Sequence, residues 1–484
     1  MSDAKPTLLA LFSSESISSL VLSSPVIRPA DLASFSLASK RLRLTTTPFL
    51  YSRVILYSPN AIRKFLFTIL HKPATYAAFV HTMYLSSYRG QPRLHLTMTR
   101  EMNLALSNVL PLLRNLEYIY LSELWCFSAA IFASHGKIVS PLRDCRLNGI
   151  TFSTQTRIVD FLRFLSSQKH LVSLRLGVVA VPNDHHDQQP LPWDEMISGD
   201  DHPLVLSDSL PALTQLDGPV FVATQVLRSN APLEFLRVHT ALEYDASFVR
   251  EGNVLPVLFS SFIEVKTLCS EIVTSKMRKS LKSLVVLGFP GDDELQELHF
   301  SKKEPYRDAG NLLGDVIGDL MQTLALRCPS LLHVGGLPLS CKDRSEVHAA
   351  LMEMHSLRSI EFSVTPWLGP SVMGISSLGQ QHSSFPSPAI FKAISMEFKM
   401  YCPTLRYFVY TLRYPNPQSR YHRVERVIWV YHIVNRQQAN GKPTGNEDGK
   451  GLEGEWTAGD SRSNWDELWK QVIVTITSVQ VDVR

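Results

Sequence analysis

The sequence lacks the patterns that announce an enzyme. It holds no Gly-x-Ser-x-Gly elbow, no Gly-rich loop closing on Lys-Ser/Thr, no His-Glu-x-x-His pair and no dinucleotide fingerprint, so nothing in it places a nucleophile, a catalytic zinc or a nucleotide. Cysteine is scarce: Cys126, Cys145, Cys269, Cys328, Cys341 and Cys402 are scattered without a Cys-x-x-Cys pair, which excludes a zinc cluster and a disulfide framework and leaves them as small buried hydrophobes. Charge of either sign is not in excess, with 48 Lys+Arg against 44 Asp+Glu; that balance gives no reason to expect a nucleic-acid or membrane partner. No run reaches the roughly 18 apolar residues that span a bilayer. The apolar stretch Leu8–Phe12 is broken at Ser13, too soon for a signal-peptide core, and no Asn-x-Ser/Thr acceptor occurs. These absences predict a non-enzymatic protein without cofactor or metal, located in the cytoplasm, the nucleus or both.

What the sequence has is a phrase. Leu-x-x-Leu-x-Leu, with apolar substitutes, begins at Leu116, Leu142, Leu171, Leu233, Leu281 and Leu357, and looser copies begin at Leu213, Val265, Leu331 and Leu405. One such unit cannot bury its own apolar side, so it must stack on neighbours. Between phrases lie helical patterns: Ile62, Phe65, Leu66, Ile69 and Leu70 before Pro73; Met102, Leu106, Val109, Leu110 and Leu113; and Ile158, Phe161, Leu162 and Leu165, each at helical spacing. A strand is expected at Val80–Leu85. The chain therefore reads as an α/β solenoid, a curved parallel sheet with helices on its convex side.

Ahead of it, residues 1–57 read as a short all-α head. Asp31 is expected to cap a helix through Leu32, Phe35 and Ala38 to Leu42, and Thr47-Pro48 to start a second one. The solenoid is expected over 58–435. Two inserts, Pro182–Pro203 and Gly369–Pro388, read as surface loops. Residues 436–464, rich in Gly, Glu, Asp, Lys and Ser, read as disordered or as an exposed loop, and 465–484, with Trp465, Trp469 and Val472, as a segment capping the array.

Strand geometry selects candidate binding residues. If the fourth and sixth residues of the phrase face the core, the third, fifth and seventh face the concave side of the sheet. The fifth position holds Tyr120, Arg146, Arg175, Arg237, Val285 and Glu361. Arg146, Arg175 and Arg237 would form a basic stripe, flanked by Tyr118, Tyr120, Phe235 and His239, and arginine and aromatic residues dominate interface energetics. The alternative is a set of ordinary exposed sheet residues. Three further clusters are read structurally. Asp184-His185-His186-Asp187 lacks the helical spacing of a zinc pair, Gly310, Gly314 and Gly318 fit close helix packing, and Lys40, Arg41 and Arg43 fit a solvated helix end.

The run Pro29-Ala30-Asp31-Leu32-Ala33-Ser34-Phe35-Ser36-Leu37-Ala38-Ser39-Lys40-Arg41-Leu42-Arg43, followed by Pro48-Phe49-Leu50-Tyr51, resembles the second and third helices of an F-box. Cys328-Pro329-Ser330-Leu331 and Cys402-Pro403-Thr404-Leu405 resemble the lead-in to repeat strands in fungal F-box and leucine-rich-repeat proteins. The sequence departs from that family in opening with Glu15-Ser16-Ile17-Ser18 in place of a Leu-Pro-x-Glu phrase. It also lacks the asparagine ladder, with Leu124, Ile150 and Val179 standing eight residues after the starts of their phrases, so poorly regular loops are expected. The resemblance implies a substrate-recognition subunit of an SCF-type cullin-RING ubiquitin ligase. Leu20, Leu32, Leu37, Leu42 and Leu50 would bind a Skp-family adaptor and, through it, a cullin, while the concave face would hold an acidic or phosphorylated target protein. The alternative is a plain repeat scaffold whose head only caps the first repeat.

Overall fold

The computed structural model describes residues 29–86, 100–122, 141–147, 150–151, 155–177, 210–229, 231–240, 254–288, 309–338, 344–363, 388–415, 424–435 and 452–458, with short pieces within 21–27, 127–133 and 179–180. The inserts Pro182–Pro203 and Gly369–Pro388, apart from Pro388 itself, and the expected cap 465–484 lie outside the described residues, as does Leu20. The chain divides into two compact units, one reaching Leu213 and the other starting at Thr214, apart from a short exchange at 189–193.

In the first unit, helix α1 (Pro29–Ala38) and helix α2 (Lys40–Ser52) pack on each other. Both begin elsewhere than the sequence predicts. Asp31 sits in the first turn of α1, where a carboxylate complements the helix dipole, and the capping hydroxyl is that of Ser39, which accepts from the Leu42 N–H at 3.1 Å. Pro48 lies inside α2 instead of starting it. Thr45, Thr46 and Thr47 bond back to the carbonyls of Arg41, Leu42 and Arg43, and such back-bonding loosens the turn that the proline ring occupies. Nor is the head all-α: it ends in strand β1 (Arg53–Leu56), which pairs in parallel with β2 (Thr82–Ser86). Helix α3 (Pro59–His71), capped by Ser58, buries Ile62, Phe65, Leu66 and Ile69.

Helix α4 (Arg100–Val109), β3 (Tyr118–Ser122), β4 (Asp144–Leu147), helix α5 (Gln155–Ser166) and β5 (Ser173–Leu176) follow. The strands pair in chain order, all parallel. Leu116, Ile119, Leu121, Leu142, Cys145, Leu147, Leu171, Leu174 and Leu176 are buried, the phrase leucines facing the core. Stacking is visible in the backbone. The carbonyl at the phrase's second position accepts from the second and third N–H of the next copy, His81 from Glu117 and Tyr118, Glu117 from Arg143 and Asp144, and Arg143 from Val172 and Ser173. Where the asparagine ladder is missing, the loops are more regular than expected: Phe127–Ser128, Ile150–Thr151 and Val179–Ala180 form a second small parallel sheet.

The second unit repeats the plan with longer helices: β6 (Gln215–Pro219), α6 (Val220–Arg228), β7 (Phe235–His239), α7 (Val254–Thr274), β8 (Ser283–Leu287), α8 (Ala309–Arg327), β9 (His333–Pro338), α9 (Arg344–Glu353), β10 (Ser359–Ser363), α10 (Pro388–Tyr401) and β11 (Tyr407–Pro415). These six strands are parallel. The same bifurcated carbonyls join them at Thr214, Glu234, Lys282, Leu332 and Arg358. Val265 belongs to α7 and not to a strand. Val265, Leu268 and Ile272 are buried, and spacings of three and four fit one helix face as well as they fit the phrase. Cys328-Pro329-Ser330-Leu331 and Cys402-Pro403-Thr404-Leu405 are both turns, with the leucine N–H on the cysteine carbonyl at 3.0 and 3.1 Å, and a proline second in the turn has its φ already set.

The end of the sheet also differs from expectation. Strand β12 (Val424–Asn435) pairs antiparallel with β11, and β13 (Leu452–Ala458), inside the segment read as loop or disorder, pairs antiparallel with β12. Along β13, Leu452, Trp456 and Ala458 fall on alternate positions, a strand period inside the polar composition around them. Among the described residues, no helix is long and apolar enough to cross a membrane.

Candidate functional site

On the first unit's sheet, the residues at the fifth position stand in one row. Tyr84 is level with Tyr120, Tyr120 with Arg146, and Arg146 with Arg175. The rings of Tyr84 and Tyr120 stack 4.4 Å apart at 8°, Tyr57 meets Tyr84 edge-on at 5.8 Å, and the Arg146 guanidinium lies 5.8 Å from the Tyr120 ring centre. Arg146 is held by Asp144, its Nη2 2.8 Å from Oδ2. Tyr118 is exposed beside this row. At the rim, Glu117 lies 3.5 Å from both Arg143 and His81. Tyr118, Tyr120, Arg146 and Arg175 are therefore brought together on one face, and the structure adds Tyr57 and Tyr84. A signal for Tyr84 was present in the sequence: Val80-His81-Thr82-Met83-Tyr84-Leu85 is the same phrase with valine and methionine in leucine positions.

Phe235, Arg237 and His239 lie in the second unit, on β7. Asp217, level with Arg237 on the adjacent strand, takes Arg237 Nη1 at 3.4 Å and bonds His239 Nε2. Arg237 thus faces a carboxylate within its own row, and the three arginines are divided between the units.

Farther along, the face expected to be open is closed. Ser283, Val285, His333, Ser359 and Glu361 are all buried, so on β8 to β10 both faces of the sheet are shut off from water, as in parallel sheets covered on two sides. His333 is 3% and Glu361 1% exposed, with Nε2 3.7 Å from Oε2. Gly335 makes room for them: a Cβ there would stand 2.6 Å from Glu361 Oε2 and 2.9 Å from His333 Nε2. Next to it Gly336, at φ +74°, lies so close to the Val286 carbonyl that a Cβ would be 1.9 Å from the oxygen, and the strand register shifts between Val334 and Leu337.

The head divides its leucines by environment. Leu32 and Leu42 are in the core and Leu50 is half-buried, whereas Leu37 is 87% exposed and so is Leu44, at 70%. The sequence does carry a signal for Leu44: a leucine two places after Leu42 on a helix must leave the face Leu42 occupies.

Between α7 and α8 runs an open groove of about 310 Å³ lined by Lys266, Cys269, Val273, Asp319, Thr323 and Leu326. Burial, aided by the charge of Asp319, pushes the Cys269 thiol up to about 12, which disfavours the thiolate at neutral pH. Among the described residues no three His, Cys, Asp or Glu side chains gather where they could hold a metal ion. No protein-family model matches the chain, and no curated protein matches it in sequence.

Proposed function

We propose that this chain is a non-enzymatic recognition subunit of an SCF-type cullin-RING ubiquitin ligase, built from an F-box-like head and degenerate leucine-rich repeats. In this reading the head docks on a Skp-family adaptor and through it on a cullin. The sheet holds a target protein by an acidic or phosphorylated segment. The subunit raises the local concentration of the target's lysines near a charged conjugating enzyme and performs no bond chemistry itself. The observation that carries the reading is the pair Leu37 and Leu44. Two large aliphatic side chains left in water on adjacent short helices, ahead of a stacked array, have the character of a docking patch, since the same helices bury Leu32 and Leu42.

A second reading, a repeat scaffold whose head caps the array, is favoured by β1. The last residues of the head pair in register with Thr82–Leu85, as a cap covering the first repeat must. Affinity purification of the tagged full chain from cells, followed by immunodetection of adaptor and cullin, separates the two. Stoichiometric adaptor supports the ligase subunit, and its absence leaves the scaffold.

A further inference from the structure

We infer that Arg358, Arg406 and Lys399, at the N-terminal rim of β10 and β11, form a site for a phosphate monoester dianion carried on a side chain of a partner protein. This rests on the reading of the array as a target-binding surface, and it names a place and a chemistry for the target's phosphorylated segment.

The rim is built from the second residue of each phrase, whose carbonyl accepts two N–H groups of the next copy. Neighbouring second-position residues are therefore held one strand spacing apart, about 4.8 Å. Like charges placed side by side in this way repel, and most of the rim avoids it. In the first unit Glu117 lies 3.5 Å from both His81 and Arg143, and in the second unit Glu234 meets Lys282 at 2.9 Å. The last two phrases break the pattern. Arg358 donates its N–H to the Leu332 carbonyl at 2.8 Å, and Arg406 donates its own to the Arg358 carbonyl at 2.8 Å, so two half-buried arginines leave the backbone from adjacent, equivalent places. Among the described residues no carboxylate pairs with either guanidinium. Those of the neighbouring elements are engaged elsewhere, Glu361 with His333 and Glu397 with His348 at 3.1 Å.

A third cation is fixed beside them. Lys399, in the last turn of α10, donates from Nζ to the Pro403 carbonyl at 2.5 Å and to the Leu405 carbonyl at 2.6 Å. The Leu405 carbonyl belongs to the peptide group that leads into Arg406, so the ammonium stands at the foot of that arginine. One of its three donors remains for a ligand. Burial lowers the pKa of Lys399, and against the opposing effect of Cys402 the charges of Arg406 and Arg358 lower it further, so the three cations are within electrostatic reach of one another.

Three positive charges without a counter-charge call for an anion carrying more than one. Two guanidinium forks and an ammonium offer more donors than the two oxygens of a carboxylate accept, whereas a phosphate monoester brings close to two charges at neutral pH and three terminal oxygens. A nucleic acid brings one charge per phosphodiester and needs a basic track to follow. Here the cluster is a point: next along the rim come Leu332 and then Lys282, already matched by Glu234. All three cationic residues are half-buried and keep contact with solvent, which leaves the fourth phosphate oxygen room to turn outward into an ester with a protein side chain.

The test is fluorescence anisotropy of the full chain with a short labelled Ala-Gly peptide carrying one phosphoserine. The same peptide with serine or glutamate in that place, and oligo-dT of equal length, are the comparisons. Saturable binding of the phosphoserine peptide is expected, about tenfold tighter than either replacement, weakening with salt and displaced by inorganic phosphate. R358Q/R406Q should weaken it about tenfold, while K282Q on the same rim leaves it unchanged. In phosphate-free buffer R358Q/R406Q should melt no lower than the wild type, because it removes a repulsion, and inorganic phosphate should raise the melting temperature of the wild type alone. Absence of saturable binding, equal binding of the phosphoserine peptide and its serine or glutamate counterpart, full binding by R358Q/R406Q, or a preference for oligo-dT overturns the proposal. Inorganic phosphate bound more than about tenfold tighter than the peptide overturns the protein-borne occupant. The assay contains no adaptor, so peptide binding with failed adaptor capture sinks the ligase reading alone, and the reverse outcome sinks the phosphate site alone.

Discussion

Gly336 and Gly318 look alike by distance and should behave in opposite ways. A Cβ at Gly318, in the middle of α8, would stand 1.8 Å from Glu346 Oε2, and a Cβ at Gly336 would stand 1.9 Å from the Val286 carbonyl oxygen. The first obstacle is the far end of an exposed, flexible side chain on α9, which turns aside at the cost of one rotamer. Alanine there also gains about 0.5–1 kcal/mol over glycine in a helix interior. G318A should therefore range from neutral to about 1 kcal/mol more stable. The second obstacle is backbone of the neighbouring strand. Reaching ordinary contact requires roughly 1.5 Å of separation, which carries a bond of about 2.9 Å well past hydrogen-bond range. Losing one or two such bonds leaves buried groups unsatisfied at about 1–3 kcal/mol each, and holding alanine at φ +74° costs about another 1 kcal/mol. G336A should lose about 3–5 kcal/mol. Both glycines are in the second unit, so calorimetry should lower that unit's melting transition by about 6–10 °C for G336A, at about 2 °C per kcal/mol for a unit of this size, and leave it level or raised for G318A. Equal shifts in the two variants would refute the distinction between backbone and side-chain obstacles.

Other consequences follow from the environments of single residues. L37D/L44D should abolish adaptor capture with little change in melting temperature, whereas L42A, in the core, should cost about 2–4 kcal/mol; retained capture by the first variant removes those two leucines from the docking patch. E361A leaves the other half of a buried pair and should cost about 3 kcal/mol or more in urea denaturation, while H333L/E361L should recover much of that, so a double variant no better than the single one would sink the argument. With the Cys269 thiol pushed up to about 12 by burial and Asp319, its thiolate fraction at pH 8 is about one in ten thousand. Cys145 is pushed higher still by burial and the adjacent Asp144. Peptide mapping after brief iodoacetamide treatment at pH 8 should find both unmodified in the native chain and modified in urea, with native labelling of Cys145 as the contrary result.

The strand phrases were legible because their leucines carry two signals at once, burial on alternate residues and a turn just before. The copies at Leu116, Leu142 and Leu171 therefore appear as β3, β4 and β5 where the pattern places them. The copy at Val265 misleads for the same reason that such patterns are useful: apolar residues three and four apart satisfy a helix too, and Ile272, one turn on, extends α7 beyond what a strand could use. Pro48 misleads because a proline is equally at home starting a helix or, when Thr45, Thr46 and Thr47 loosen the turn before it, inside one. Tyr84 is hard to read from the sequence because its strand spells the phrase with valine and methionine.

Which residues of one strand share a face is a matter of local geometry, and sequence alone settles it: alternation puts Tyr118 with Tyr120, Asp144 with Arg146, and Phe235 with Arg237 and His239. Which of them act together is not. Asp217 reaches Arg237 only because β6 and β7 lie level, Arg146 and Arg175 join the tyrosines only because β2 to β5 stack in register, and the row at Val285 and Glu361 is buried because both sides of the sheet are covered there. Those are encounters between residues distant in the chain, and a pairwise electrostatic or packing energy depends on separations that only the folded chain sets.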